Sequence, residues 1–446
     1  MSLSHRCLIA ECMWYHWEVL PPWVTMLNRL GYEVEIATSS DSTGHVETLE
    51  LLGARCRTHR LADLPSLSRD RFDFVVLNTL IHEGYVLDRP PDPRPDLKWL
   101  RDLGRPSISV VHEPRFWVEK RIVKSFRQTG VQGDKQFNLL ADGYIQDERG
   151  TWLTEQWALE GNRLLLSAEG RQRIYESSGD GRSFLGVGAD EGTMLRSRDR
   201  VSEDLSSHCA DGRHAVVTPT PAGAAHLRAV LPGADWIIPF EMQDRLPSRG
   251  TGAIAFAGAI DYDRKQLASL LDGAAVLLEG RFIRIIGGSR SADFEGDRFV
   301  ASFKGNIAKR GLESKFQFTG YLRYGEFIDA MRDCRFLLPL VDDLIDSGQY
   351  LIKLSASVAA SFALGVPLIV NEKIAEKFDL QYMICYRDLD LASGIEAEQQ
   401  LSGAQYAAML QMLDRQAEAL DRRNIETLGT LIERITTADH GGEGMG

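Results

Sequence analysis

Lys353, Ser355 and Ser357 are spaced as a phosphate seat would be: they open the helical part of residues 349–370 (QYLIKLSASVAASFALGVPLIV), a segment that reads as polar loop, helix and buried strand. Gly365 and Pro367 end that helix before the apolar run 368–370. A helix N-terminus presents unpaired N–H groups and the positive end of the macrodipole, so a lysine and hydroxyls there suit a phosphate or diphosphate. Gln349, at the head of the segment, joins Lys353 and Ser355 as a candidate for binding such a ligand. In the plainer reading Lys353 is a solvated first-turn residue and the serines are caps.

Two further constellations lie near the N-terminus. Trp14, His16, Trp17 and Glu18 follow the first apolar run. Aromatic rings can stack on a sugar face, and His16 or Glu18 can take a proton from a hydroxyl. His112, Glu113 and Arg115 follow the apolar run 107–111, where the histidine could act as base or face phosphates and the arginine could meet an anion. His82-Glu83 is a weaker third pair. Against these stand a satisfied loop histidine, packed tryptophans, a strand-capping His112 and a surface arginine. Gly258 and the pair Gly287-Gly288 offer close backbone approach, with Arg264 nearby to meet phosphate charge without a metal. None of them forms a Gly-x-Gly-x-x-Gly fingerprint. Asp342, Asp343 and Asp346 suggest a metal, but adjacent aspartates diverge, so no metal ion is expected.

These residues sit at the ends of short apolar runs. Strands are expected over 6–10, 32–37, 72–78 and 107–111, each ending in polar residues: Glu11, 38–41, 78–83 and 112–113. A second series runs 254–259, 282–288, 316–320 and 335–340, with helices over 264–271 and 324–334 between. Alternating strands and helices predict an α/β fold, parallel sheets covered on both faces, with ligands at the carboxyl ends of the strands. Residues 136–212 break the alternation. Short apolar alternations separated by Glu-Gly-Asn, Ala-Glu-Gly and Gly-Asp-Gly predict a small antiparallel β insertion, after which 215–219 and 236–239 resume the first unit. Residues 241–252 read as a linker and 404–437 as a long helix.

The runs FAGAIDYDRKQLASLL, FIRIIGGS, FQFTGYLRYGEFIDAMRDCRFLLPL and ALGVPLIV, in that order, resemble the donor-binding half of the nucleotide-sugar glycosyltransferases of the two-Rossmann-domain, or GT-B, type. The likeness covers about residues 251–386, and the N-terminal half fits more loosely. It implies two Rossmann-like domains facing a cleft. Residues 1–135 with 213–245 would form the acceptor-side domain, 136–212 the inserted module, 246–402 the nucleotide-sugar domain, 403–438 a helical segment and 439–446 a disordered tail. By the same resemblance Tyr321 lies where the nucleotide base packs, and His16 or His112 is the base. Many retaining members carry two glutamates eight positions apart, but Ile352 and Ala360 hold the corresponding places, so this chain departs from that subgroup.

The resemblance thus implies transfer of a sugar from a nucleotide diphosphate sugar, UDP- or GDP-linked, to a hydroxyl acceptor such as a glycan, a lipid-linked glycan or a protein, as in polysaccharide biosynthesis. No cofactor beyond the co-substrate is expected. Two other readings remain on the same scaffold: a nucleotide-sugar epimerase or hydrolase, and a non-catalytic scaffold of a polysaccharide assembly complex.

With 446 residues the chain exceeds one ordinary core. A formal net charge of -12 argues against nucleic acid or an anionic membrane as the dominant partner. No apolar run approaches the roughly 18 residues of a membrane span, and residues 1–12 turn charged too soon for a signal peptide, which predicts a cytoplasmic protein with at most peripheral membrane contact. Six cysteines without a C-x-x-C pair read as thiols rather than a disulfide framework or zinc site.

Overall fold

Strand β1 (Arg6–Glu11) sends Cys7 and Ile9 into one apolar layer and Leu8 and Ala10 into another. Successive strand residues point to opposite faces, so a strand apolar at nearly every position must be covered on both. The computed structural model describes residues 5–13, 16–38, 43–63, 71–81, 97–118, 122–129, 135–140, 144–147, 152–160, 163–168, 171–177, 183–187, 194–197, 205–243, 252–260, 265–288, 296–341 and 352–441. In it β1 lies in the middle of a parallel sheet with β2 (Glu33–Thr38), β3 (Arg57–Arg60), β4 (Phe74–Leu77) and β5 (Ser107–Val110).

After β5 the chain leaves this sheet for eight antiparallel strands. These are β6 (Ile122–Thr129), β7 (Lys135–Leu140), β8 (Tyr144–Asp147), β9 (Trp152–Glu160), β10 (Arg163–Ala168), β11 (Arg171–Ser177), β12 (Ser183–Val187) and β13 (Met194–Ser197). Each pairs with the next and β13 returns to β6, so the insertion is a closed barrel, in which no edge strand is left to pair with another chain. The chain then resumes the first sheet with β14 (His214–Thr218) and β15 (Asp235–Trp236), giving the order β15-β14-β5-β4-β1-β2-β3.

The second sheet holds β16 (Ile254–Ala259), β17 (Ile283–Gly288), β18 (Phe316–Phe318), β19 (Phe336–Leu338), β20 (Leu368–Asn371) and β21 (Met383–Tyr386), in the order β18-β17-β16-β19-β20-β21. In both sheets the strand order therefore turns back beside the first strand, and in such folds ligands bind in the crevice at that switch point. Strand β3, RTHR, has no apolar alternation to announce it; an edge strand with one neighbour needs none.

The final helix, Gly403–Gly441, ties the two domains. Met409, Leu413 and Ala417 sink into the second core, and Leu428, Leu431, Ile432 and Ile435 into the first. None of the six cysteines is in a disulfide; Cys385, on edge strand β21, is exposed. Among the described residues no helix is long and apolar enough to cross a membrane.

Candidate functional site

The carboxyl ends of β1, β4 and β5, neighbours in the first sheet, bring Glu11, Asn78 and His112 together. Glu11 is fully buried. One of its oxygens accepts the Met13 N–H at 2.6 Å; the other accepts the Asn78 Nδ2 and the Thr79 hydroxyl, the latter at 3.5 Å. The Asn78 Nδ2 also donates to the His16 carbonyl at 3.1 Å. That sets the amide's orientation, since a flipped oxygen would face a carboxyl and a carbonyl at once. The Asn78 main-chain carbonyl in turn accepts from the His112 Nε2 at 2.9 Å. Because a carbonyl can only accept, His112 carries its proton on Nε2 and a lone pair on Nδ1.

His16 takes a left-handed backbone, φ 66°, which lays its ring flat on His112, with centroids 4.0 Å apart and planes 5° apart. Glu18 stands 3.8 Å from the His16 Nδ1. Burial pushes the Glu11 carboxyl up to about 8. It also holds His112 well below the usual imidazole range, helped by His16 and Lys353. His112 is therefore a neutral hydrogen-bond acceptor at physiological pH and a weak base.

Facing these strand ends is the helix Ala356–Leu364, capped at its C-terminus by Gly365 with φ 70°. Ser355 is its N-cap and is buried, but its hydroxyl makes no cap bond to the helix. Lys353 precedes it and pairs across the cleft with Glu113. Next to Lys353, the Ile352 carbonyl accepts the Thr220 hydroxyl of the first domain at 2.6 Å. The domains also touch where Glu47 accepts the Tyr324 N–H at 2.8 Å and the Tyr321 hydroxyl at 3.4 Å.

Other expected site residues fall as follows. Gly258 and Gly287 are register partners at the ends of β16 and β17, and both need glycine for their φ of 104° and 84°. Among the described residues no atom lies within 4 Å of where a Gly258 Cβ would stand. Gly288 closes β17 beside Ala259. Trp17 packs edge-on against Tyr324 with centroids 5.1 Å apart, which makes it a domain contact. Trp14, His82, Glu83, Arg264, Asp342, Asp343, Asp346 and Gln349 lie outside the described residues. No cluster of metal-ligating side chains occurs among the described residues.

Between the domains lies a cavity of about 390 Å³. His16, His112 and Lys353 line it together with a face of small residues on the 356–364 helix: Ala356, Ala359, Ala360 and Ala363. In the sequence Glu11 and Asn78 stand out only as polar strand ends. Their roles follow from strand order, which brings residues far apart in the chain into contact.

No protein-family model matches this sequence, and no curated protein matches it. Solved structures do resemble it. HepE of Anabaena, in complex with UDP and glucose, is 9% identical, with 95% of this chain and 98% of that one covered and a TM-score of 0.53. Sucrose-phosphate synthase of Thermosynechococcus elongatus is 12% identical, with 97% and 100% covered and a TM-score of 0.51. At such identities the likeness is one of fold, and it spans both domains: the chain has the GT-B arrangement of two Rossmann-like domains facing a cleft.

Proposed function

We propose that the chain transfers a glycosyl group from a nucleotide diphosphate sugar to a hydroxyl acceptor. One observation carries the reading: within a GT-B fold, a histidine pair at the strand ends of one domain faces a lysine at a helix N-terminus of the other. The diphosphate would take Lys353 from Glu113 and sit against the first turn of the 356–364 helix near Ser355, with Gly258 and Gly287 giving it room. Charge developing on the departing diphosphate would then be met by an ammonium and a helix dipole, without a metal. On the opposite wall His16, with Glu18 beside it, is the better placed base. Neutral His112 would accept a hydrogen bond from a substrate hydroxyl through Nδ1. HepE is seen with UDP and glucose, which makes UDP the first nucleotide to try. The acceptor would be a glycan, a lipid-linked glycan or a protein, and the site of action the cytoplasm.

The test is thermal stabilisation by UDP, GDP, CDP, ADP and TDP, with and without magnesium, in the wild type and in Lys353→Ala. One nucleotide should stabilise the wild type without magnesium. The variant should lose about 1.5–3 kcal/mol of its binding, the worth of a hydrogen bond to a charged group. No stabilisation by any nucleotide would turn the reading toward a non-catalytic scaffold. Consumption of the donor without an acceptor would turn it toward an epimerase or hydrolase.

A further inference from the structure

Away from Lys353, the described lining of the interdomain cavity is largely apolar. Its walls include Trp17, Pro21 and Pro22 from the first domain and Phe327, Ile328 and Met331 from the second, besides the alanine face of the 356–364 helix. Most of the polar groups among its described lining residues are already engaged. Glu241 accepts from Thr25 at 2.9 Å and from Arg55 at 2.6 Å, Gln243 accepts from Arg332, and His112 donates to the Asn78 carbonyl. Tyr324, which lines the cavity, has its phenol pushed up by burial and by Glu18 and Glu241. At about 390 Å³ the space is of ligand size, for which pockets run roughly 300–1,000 Å³. Leu51, 52% exposed, is part of the lining, so the cavity opens to solvent beside the helix Thr43–Leu52.

We propose that this cavity holds the uncharged alkyl chain of an amphiphilic hydroxyl acceptor, whose polar head meets the His16–His112 pair. The inference deepens the glycosyl-transfer reading by giving the acceptor an apolar aglycone, and it rests on that reading for the word acceptor. Burying a chain among Trp17, Phe327, Ile328 and Ala363 takes its apolar surface from water, whereas a ribose or phosphate there would lose hydration without gaining partners.

The experiment is calorimetric titration with octyl β-D-glucoside below its micelle threshold and with methyl β-D-glucoside, on the wild type, Ala363→Phe and Ile328→Trp. Thermal stabilisation by UDP is recorded on each. The two substitutions fill the cavity from different helices, so one still decides if the other does not fold. The expected result is octyl glucoside binding about tenfold or more tighter than methyl glucoside, with that advantage lost in either variant and stabilisation by UDP unchanged. Equal binding of the two glucosides, or variants that keep the octyl advantage, would overturn the proposal. So would variants that lose stabilisation by UDP and leave octyl binding intact, since the cavity would then be the nucleotide's seat. A wild type that ignores all five nucleotides would remove the donor reading, while the octyl-to-methyl ratio would still decide what the cavity holds.

Discussion

Glu11 and His112 are displaced in opposite directions by the same burial, and each displacement has a readable sign. The folded carboxyl of Glu11 holds its proton up to about 8, against 4.5 when exposed. Its contribution to stability is complete below pH 4.5 and is lost as pH rises through about 8. The melting temperature should therefore fall across that window in the wild type, and Glu11→Gln should flatten the fall. An unchanged slope in the variant, followed by circular dichroism, would show that Glu11 ionises elsewhere. His112 runs the other way: its neutral form is favoured on folding, so its contribution is present above pH 6.5 and lost below. His16 is the residue on which proton transfer should depend. His16→Asn keeps a side chain that tolerates the left-handed backbone while removing the ring. It should lower kcat by roughly 10²–10⁴-fold with nucleotide affinity kept. Loss of affinity with kcat unchanged would make His16 a binding group instead.

One close approach between the domains lies beside the loop that carries Lys353. Thr220 caps the helix Pro221–Leu227 by accepting the Gly223 N–H at 2.8 Å, and it donates to the Ile352 carbonyl across the cleft. A Cβ on Gly223 would lie 3.0 Å from that carbonyl and 2.8 Å from the Thr220 Oγ1. Gly223→Ala should therefore push the 221–227 helix from the loop that holds Lys353, at a cost of about 1–3 kcal/mol in unfolding free energy. Nucleotide affinity should weaken along with it. A variant as stable as the wild type would mean that the contact yields freely. Gly223 was not legible as a critical position, because the demand comes from atoms that the fold brings around it: the Thr220 and Thr218 hydroxyls together with a carbonyl of the other domain.

At the scale of the molecule, the helix Gly403–Gly441 lends apolar side chains to both cores and so couples the domains. Asn424 and Arg423 strengthen the crossing. The first donates to the Ile238 carbonyl at 2.7 Å, and the second places its guanidinium 3.3 Å from the Trp236 ring centre. Leu428 is fully buried in the first core, so Leu428→Ala should cost about 2–5 kcal/mol. In a denaturant titration that loss should appear in the unfolding of the first domain. A loss well under 1 kcal/mol would make the crossing ornamental.

Strand-end positions were legible in the sequence because each apolar run stops where a strand leaves the core, and that alone marked His112, Glu113, Gly258 and Gly287. Helix punctuation likewise marked Lys353 and Ser355, since Gly365 and the apolar strand after it fix where the preceding helix must lie. Two α/β units and an antiparallel insertion could be read from periodicity, which is local. Closure of the insertion into a barrel, the edge strand Arg57–Arg60, the Glu11–Asn78–His112 chain of hydrogen bonds and the apolar cavity could not. Each depends on which distant segments become neighbours, and periodicity says which face of an element is buried but not what covers it. The sequence by itself determined the elements and the chemistry at their ends; tertiary structure alone decided which of those ends meet.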